Sequence, residues 1–150
     1  MSRLDPAELG RRLEGILAAA ERMIREVPEA EMSAPVSEGA GNLRDVAFRL
    51  FRLGLAFADG MDLGRFPEDW RRETAPDDLR DGAAVGRYGA LVRGRLEGWF
   101  EGATPREFAR TIAVYDGPRT GHDLLARITG EADRDLRALR MTLERIGRAT

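Results

Sequence analysis

The stretch Ile128-Thr129-Gly130-Glu131-Ala132-Asp133-Arg134-Asp135-Leu136 lies inside a segment whose periodicity predicts one long helix, roughly His122 to Ile146. Leu125, Ile128, Ala132, Leu136, Leu139, Leu143 and Ile146 recur at helical spacing and form the stripe of a helix that faces a bundle core. Glu131 and Asp135 sit one turn apart beside that stripe. Asp135 follows Ile128 by two turns and precedes Leu139 by one, so it is expected to point toward the interior. A partly buried carboxylate needs a partner or a proton.

Working outward, three further helices are expected. Asp5-Pro6-Ala7-Glu8 is a helix start, with Asp at the N-cap, Pro at the first helical position and Glu at the third. Leu9, Leu13, Ile16, Leu17, Ala20, Met23, Ile24 and Val27 then make one apolar face. Asn42-Leu43-Arg44-Asp45 opens a second helix, whose wide apolar face runs from Leu43 through Phe51 and Phe57 to Met61. Arg49 lies on the flank of that face. Thr74-Ala75-Pro76-Asp77 reads as the start of a third helix, with Val85, Tyr88, Leu91, Val92, Leu96, Trp99 and Phe100 on its buried side.

The predicted helices span residues 6–27, 43–60, 76–101 and 121–146. Five glycines in the third helix (Gly82, Gly86, Gly89, Gly94, Gly98) each cost about 0.8–1.0 kcal/mol relative to Ala in a helix interior. They point either to close packing against another backbone, the reading adopted, or to weak selection on an exposed face.

The connections are polar. Glu29 to Gly41, with Pro35 and two glycines, is a loop. Gly60 to Ala75 crosses one end of the bundle, with Trp70 pinned against the core. Thr104 to Gly121 contains the β-branched run Phe108-Ala109-Arg110-Thr111-Ile112-Ala113-Val114-Tyr115 and the turn Asp116-Gly117-Pro118. It is expected to be a short extended segment packed across the bundle. The whole reads as one all-α domain, residues 1–150, a four-helix bundle.

Composition removes several function classes. The chain has 150 residues and a net charge of −2, with 24 basic residues against 26 acidic ones interleaved along it, so no nucleic-acid partner is expected. No apolar run is long enough to span a membrane, and the first residues lack the apolar core of a signal peptide, so a cytoplasmic location is the expectation. Cysteine is absent, which removes thiolate nucleophiles and Cys-ligated zinc. Every basic residue is arginine, which removes lysine Schiff-base chemistry. A single histidine removes every multi-histidine metal site.

Two segments carry a family resemblance. Asn42-Leu43-Arg44-Asp45-Val46-Ala47-Phe48-Arg49-Leu50-Phe51 resembles the second-helix segment of DinB-like proteins, the superfamily of the YfiT-type and mycothiol-dependent enzymes. The run from Tyr115 through His122, Glu131 and Asp135 to Leu139 is similar to their last helix. The resemblance implies a four-helix bundle, often a homodimer, with a divalent metal held by histidines, and for many members thiol-dependent transferase or isomerase activity.

Those metal-ligand positions fall here at Arg49, Glu131 and Asp135, and none is histidine. A carboxylate pair could hold a hard cation through oxygen, but Arg49 would place a permanent positive charge beside it. The reading adopted is that a guanidinium replaces the metal and bridges the second helix to the carboxylates of the last. The alternatives are surviving metal binding and an exposed cluster. No cofactor is expected.

His122 could act as a base if it shared a pocket with Tyr115 or Asp123, and Phe48 is a further pocket candidate; the alternative for His122 is a surface or capping role. The function expected is therefore that of a small-molecule-binding or non-catalytic homodimer with a degenerate metal site. The alternative is a thiol-dependent transferase or isomerase with a divergent active site.

Overall fold

In a computed structural model, which describes residues 4–36 and 41–148, the long segments form α1 (Pro6–Ile24), α2 (Leu43–Leu63), α3 (Gly82–Gly102) and, after a short α4 (Pro105–Ala109), α5 (Gly121–Arg145). Two two-residue strands, β1 (Thr111–Ile112) and β2 (Arg119–Thr120), pair antiparallel between α4 and α5. Side-chain oxygens of Asp5, Asn42, Asp81 and Thr120 accept from backbone N–H groups three residues on and fix the four long starts. α2 stops at Gly64, which takes a left-handed conformation (φ 80°).

α1 and α2 lie diagonally, and each packs against both α3 and α5. The start of α3 abuts the end of α1: Gly82 donates to the Val27 carbonyl, 2.8 Å. The end of α2 meets the region where α5 begins, through Met61 against Gly121. α2 and α3 therefore run together, antiparallel to α1 and α5. The core is continuous, from Leu13, Leu17 and Ile24 through Phe51, Phe57 and Leu96 to Leu125, Ile128, Leu139 and Leu143. No helix is long and apolar enough to cross a membrane among the described residues.

The main departure from the sequence reading is the start of α3, at Gly82 and not at Pro76. The backbone before it is engaged elsewhere. Arg44, near the start of α2, donates to the carbonyls of Leu79 (2.6 Å), Ala75 (3.1 Å) and Pro76, while Asp45 accepts from the Ala75 N–H at 2.9 Å. Those groups are lost to any intrahelical ladder, so Asp81 becomes the cap.

The glycine reading divides. A Cβ on Gly82 would overlap the Ile24 carbonyl, one on Gly86 would press on Arg25, and one on Gly89 would meet the Phe51 ring at 2.6 Å; Gly94 and Gly98 face open space. Leu91, expected on the buried side, is 75% exposed.

Thr104–Gly121 is more regular than an extended segment. Thr104 and Glu107 form a capping box that starts α4, with Pro105 at its first position, and the hairpin of β1 and β2 follows. Ala113 also bridges Arg65 in parallel, with Phe66 donating to the Ala113 carbonyl at 2.8 Å. Residues 37–40 of the loop before α2 and residues 1–3 of the N-terminal reading lie outside the described residues.

Candidate functional site

The connection from α2 to α3 crosses the groove between α2 and α5. It is held by Trp70, 4% exposed and edge-on to Phe66 at 6.3 Å. A single 3-10 turn at Asp69–Arg72 presents Arg71 to α5. Arg49 from α2, Trp70 and Arg71 from this turn, and Glu131, Arg134 and Asp135 from α5 line one cavity of about 260 Å³. The three positions singled out in the sequence are thus brought to one place.

The bridging guanidinium is nevertheless a different one. Arg71 grips Glu131 with both terminal nitrogens, Nη1 to Oε2 at 2.9 Å and Nη2 to Oε1 at 3.2 Å, and its Nε donates to Glu68 at 2.7 Å. Its planar head lies over the Trp70 ring, 4.7 Å from the centroid. Arg127 adds a longer contact to Glu131, 3.5 Å, from one turn earlier on α5.

Among the described residues no ion pair within 4.0 Å joins Arg49 to Glu131 or Asp135. That expectation is corrected, because the crossing segment delivers a cation closer to Glu131 than α2 does. Burial opposes the charge on Arg71, but its bonds to Glu131 and Glu68 outweigh that and raise its pKa.

Asp135 has a different environment. Desolvation, then repulsion from Glu131, pushes its carboxyl up to about 6, against the opposing charges of Arg49, Arg134 and Arg71. It accepts no hydrogen bond among the described residues. A carboxyl titrating there can donate a hydrogen bond when protonated and accept one when ionised. The indole Nε1 of Trp70 is buried without a hydrogen-bond partner, an exception to the rule that buried donors are paired.

The pocket candidates elsewhere are not brought together. His122 Nε2 lies 2.8 Å from the Leu4 carbonyl and ties the N-terminal segment to the start of α5. Tyr115 is 78% exposed in the hairpin turn. Phe48 is buried and stacks on Tyr88 at 5.1 Å, where burial pushes the Tyr88 hydroxyl up to about 12.

Arg71 escaped sequence reading for a physical reason. Glu68-Asp69-Trp70-Arg71-Arg72-Glu73 carries no periodicity that separates Arg71 from Arg72, and only the path of the connection decides which one faces α5.

A metal held in the manner the resemblance implies does not fit these residues. Among the described residues no group of three His, Cys, Asp or Glu side chains is placed to hold a metal ion. The oxygens of Glu131 are already taken by guanidinium N–H groups, whose fixed charge opposes a cation.

Sequence comparison matches the chain to no family model and to no curated protein. Its shape does have relatives. It is similar to YfiT from Bacillus subtilis, described as a probable metal-dependent hydrolase with an unusual four-helix bundle topology, with a TM-score of 0.81 at 14% identity over 99% of this chain and 93% of that one. It is also similar to the DinB-like protein YjoA from Bacillus subtilis, with a TM-score of 0.76 at 10% identity over 95% and 94% of the two chains. With its nearly full-length overlap with both proteins, the chain has the fold of the DinB-like four-helix bundles.

Proposed function

We propose that this protein is a metal-independent member of the DinB-like fold that binds a small organic carboxylate, without turning it over, in the cavity between α2, the crossing segment and α5. The observation that carries this reading is the half-buried carboxyl of Asp135, which accepts no hydrogen bond among the described residues and lines the cavity together with the Arg134 guanidinium. Arg134 supplies a guanidinium on the same wall, and Asp135 supplies a carboxyl that can meet a ligand oxygen as a donor when protonated. Arg71 and Glu131 neutralise one another and serve as the rigid side of the cavity.

The test has two parts. Protein prepared without a polyhistidine tag should contain far less than one equivalent of any divalent metal by elemental analysis. Calorimetric titration should show saturable binding of succinate, weakened by Arg134→Gln, with no binding of the neutral succinamide. Stoichiometric metal in the untagged protein would overturn the reading in favour of a metal-dependent enzyme like the one YfiT is described as. Equal affinity for succinate and succinamide would overturn the carboxylate assignment.

The same reading includes a homodimer, which rests on the family resemblance. Of the apolar residues that widen the face of α2, Phe51 and Phe57 are fully buried within the single chain, while Leu55 is only partly buried against the core.

A further inference from the structure

A second cavity, of about 520 Å³, opens away from the site above, between the start of α1, the end of α3 and α4. Its floor is aromatic. Phe100 lies so close on the Gly10 backbone that a Cβ there would sit 2.9 Å from the ring. Phe108 is nearly parallel to Phe100, 13° between planes at 6.4 Å, and Trp99 meets both edge-on at 5.2 and 5.5 Å. Pro6 and Pro105 close the apolar sides.

Its charges are of one dominant sign. Among the described residues, Glu14, Glu97, Glu101 and Asp5 line it against one cation, the exposed Arg11. Asp5 is committed to capping α1. Arg93, whose charge also acts on Glu14, donates from Nε and Nη2 to Glu21. The Oε1 atom of Glu14 is buried and has no hydrogen-bond partner. Burial, and next the neighbouring Glu97, raise the pKa of the Glu14 carboxyl, with Arg93 opposing and Glu101 adding to the rise. The carboxylates of Glu14, Glu97 and Glu101 beside this aromatic floor suit an occupant that is a cation with an apolar body.

We propose that this cavity binds a small organic ammonium ion, its charged head against Glu14 and its apolar arm over Phe100 and Phe108. The size is right for a small molecule. The carboxylates of Glu97 and Glu101 at the rim favour entry of a cation and disfavour an anion. The site is independent of the carboxylate-binding cavity, and its occupant has the opposite charge.

The probe is 2-phenylethylammonium, with the neutral 2-phenylethanol and the anionic 3-phenylpropionate as controls of similar shape. Calorimetry should show saturable binding of the ammonium ion alone, weakened as salt rises. Amide NMR shifts on titration should cluster at Ala7, Gly10, Glu101 and Ala103. Glu14→Gln should weaken binding about tenfold or more, as expected when one charge-assisted partner is lost, while Glu144→Gln on the exposed end of α5 should not. If Glu14→Gln does not fold, the exposed pair Glu97→Gln and Glu101→Gln serves in its place and should also weaken binding. Equal binding of the alcohol, shifts mapping elsewhere, or a folded Glu14→Gln or Glu97→Gln/Glu101→Gln variant that binds as tightly as the parent each overturns the proposal.

Discussion

Arg71 illustrates how one side chain can settle the chemistry of a cavity. Glu131 is only 16% exposed at its side chain, and Arg71 provides its two shortest contacts across the groove. Removing one member of a buried pair costs about 3–5 kcal/mol and of an exposed pair about 0–1 kcal/mol. This pair lies between those limits, and Arg127 remains to share the charge. Arg71→Ala is therefore expected to destabilise by about 1–3 kcal/mol in urea unfolding, with Arg71→Lys recovering only part because a single ammonium cannot span both oxygens. An unchanged urea midpoint for Arg71→Ala would remove the pair from the account of stability.

Asp135 makes the second prediction at this scale. Its folded pKa is raised, so the native state binds the proton more tightly than the unfolded chain. Its contribution to stability is present at low pH and is lost as pH rises from about 4 to about 6. A shift of that size corresponds to at most about 3 kcal/mol. Asp135→Asn should accordingly gain stability relative to the parent across that window and hold the gain at neutral pH. A difference between the two proteins that does not change between pH 4 and pH 7 would contradict the assignment.

At the scale of the element, α3 contains two kinds of glycine that a sequence cannot tell apart. Gly94→Ala and Gly98→Ala introduce a Cβ into open space, and each should stabilise by up to about 1 kcal/mol, the propensity difference in a helix interior. Gly89→Ala forces a methyl against the Phe51 ring, and Gly82→Ala drives one into the Ile24 carbonyl. Both should destabilise, Gly82→Ala more, because a helix backbone cannot yield as a ring can. Thermal melts of the four variants would check the sign at each position.

For the whole molecule, the connection between α2 and α3 has two roles. It covers the α2 face that would otherwise be left apolar, with Phe66 and Trp70 buried against it, and it carries Arg71 to α5. The homodimer proposed above then has to use surface other than that face. Light scattering at micromolar concentration should give twice the 16.6 kDa mass of the chain; the monomer mass alone would remove the dimer.

Local chemistry determined much of this protein. The apolar stripes of α1, α2 and α5, the caps Asp5 and Asn42, and the placement of Glu131 and Asp135 beside the core all follow from local sequence and from spacing within one helix, because a helix repeats in about 3.6 residues wherever it sits. The same spacing, with the segments resembling DinB-like proteins, identified Arg49, Glu131 and Asp135 as neighbours, and one cavity holds all three. What spacing could not supply is anything that depends on the path of a connection. The delayed start of α3 results from Arg44 and Asp45 capturing backbone groups about thirty residues away. The choice of Arg71 over Arg49 as the partner of Glu131 results from the turn at Asp69–Arg72 lying over α5. Both are contacts between residues remote in sequence, where the energy of each depends on a geometry that only the packed bundle sets.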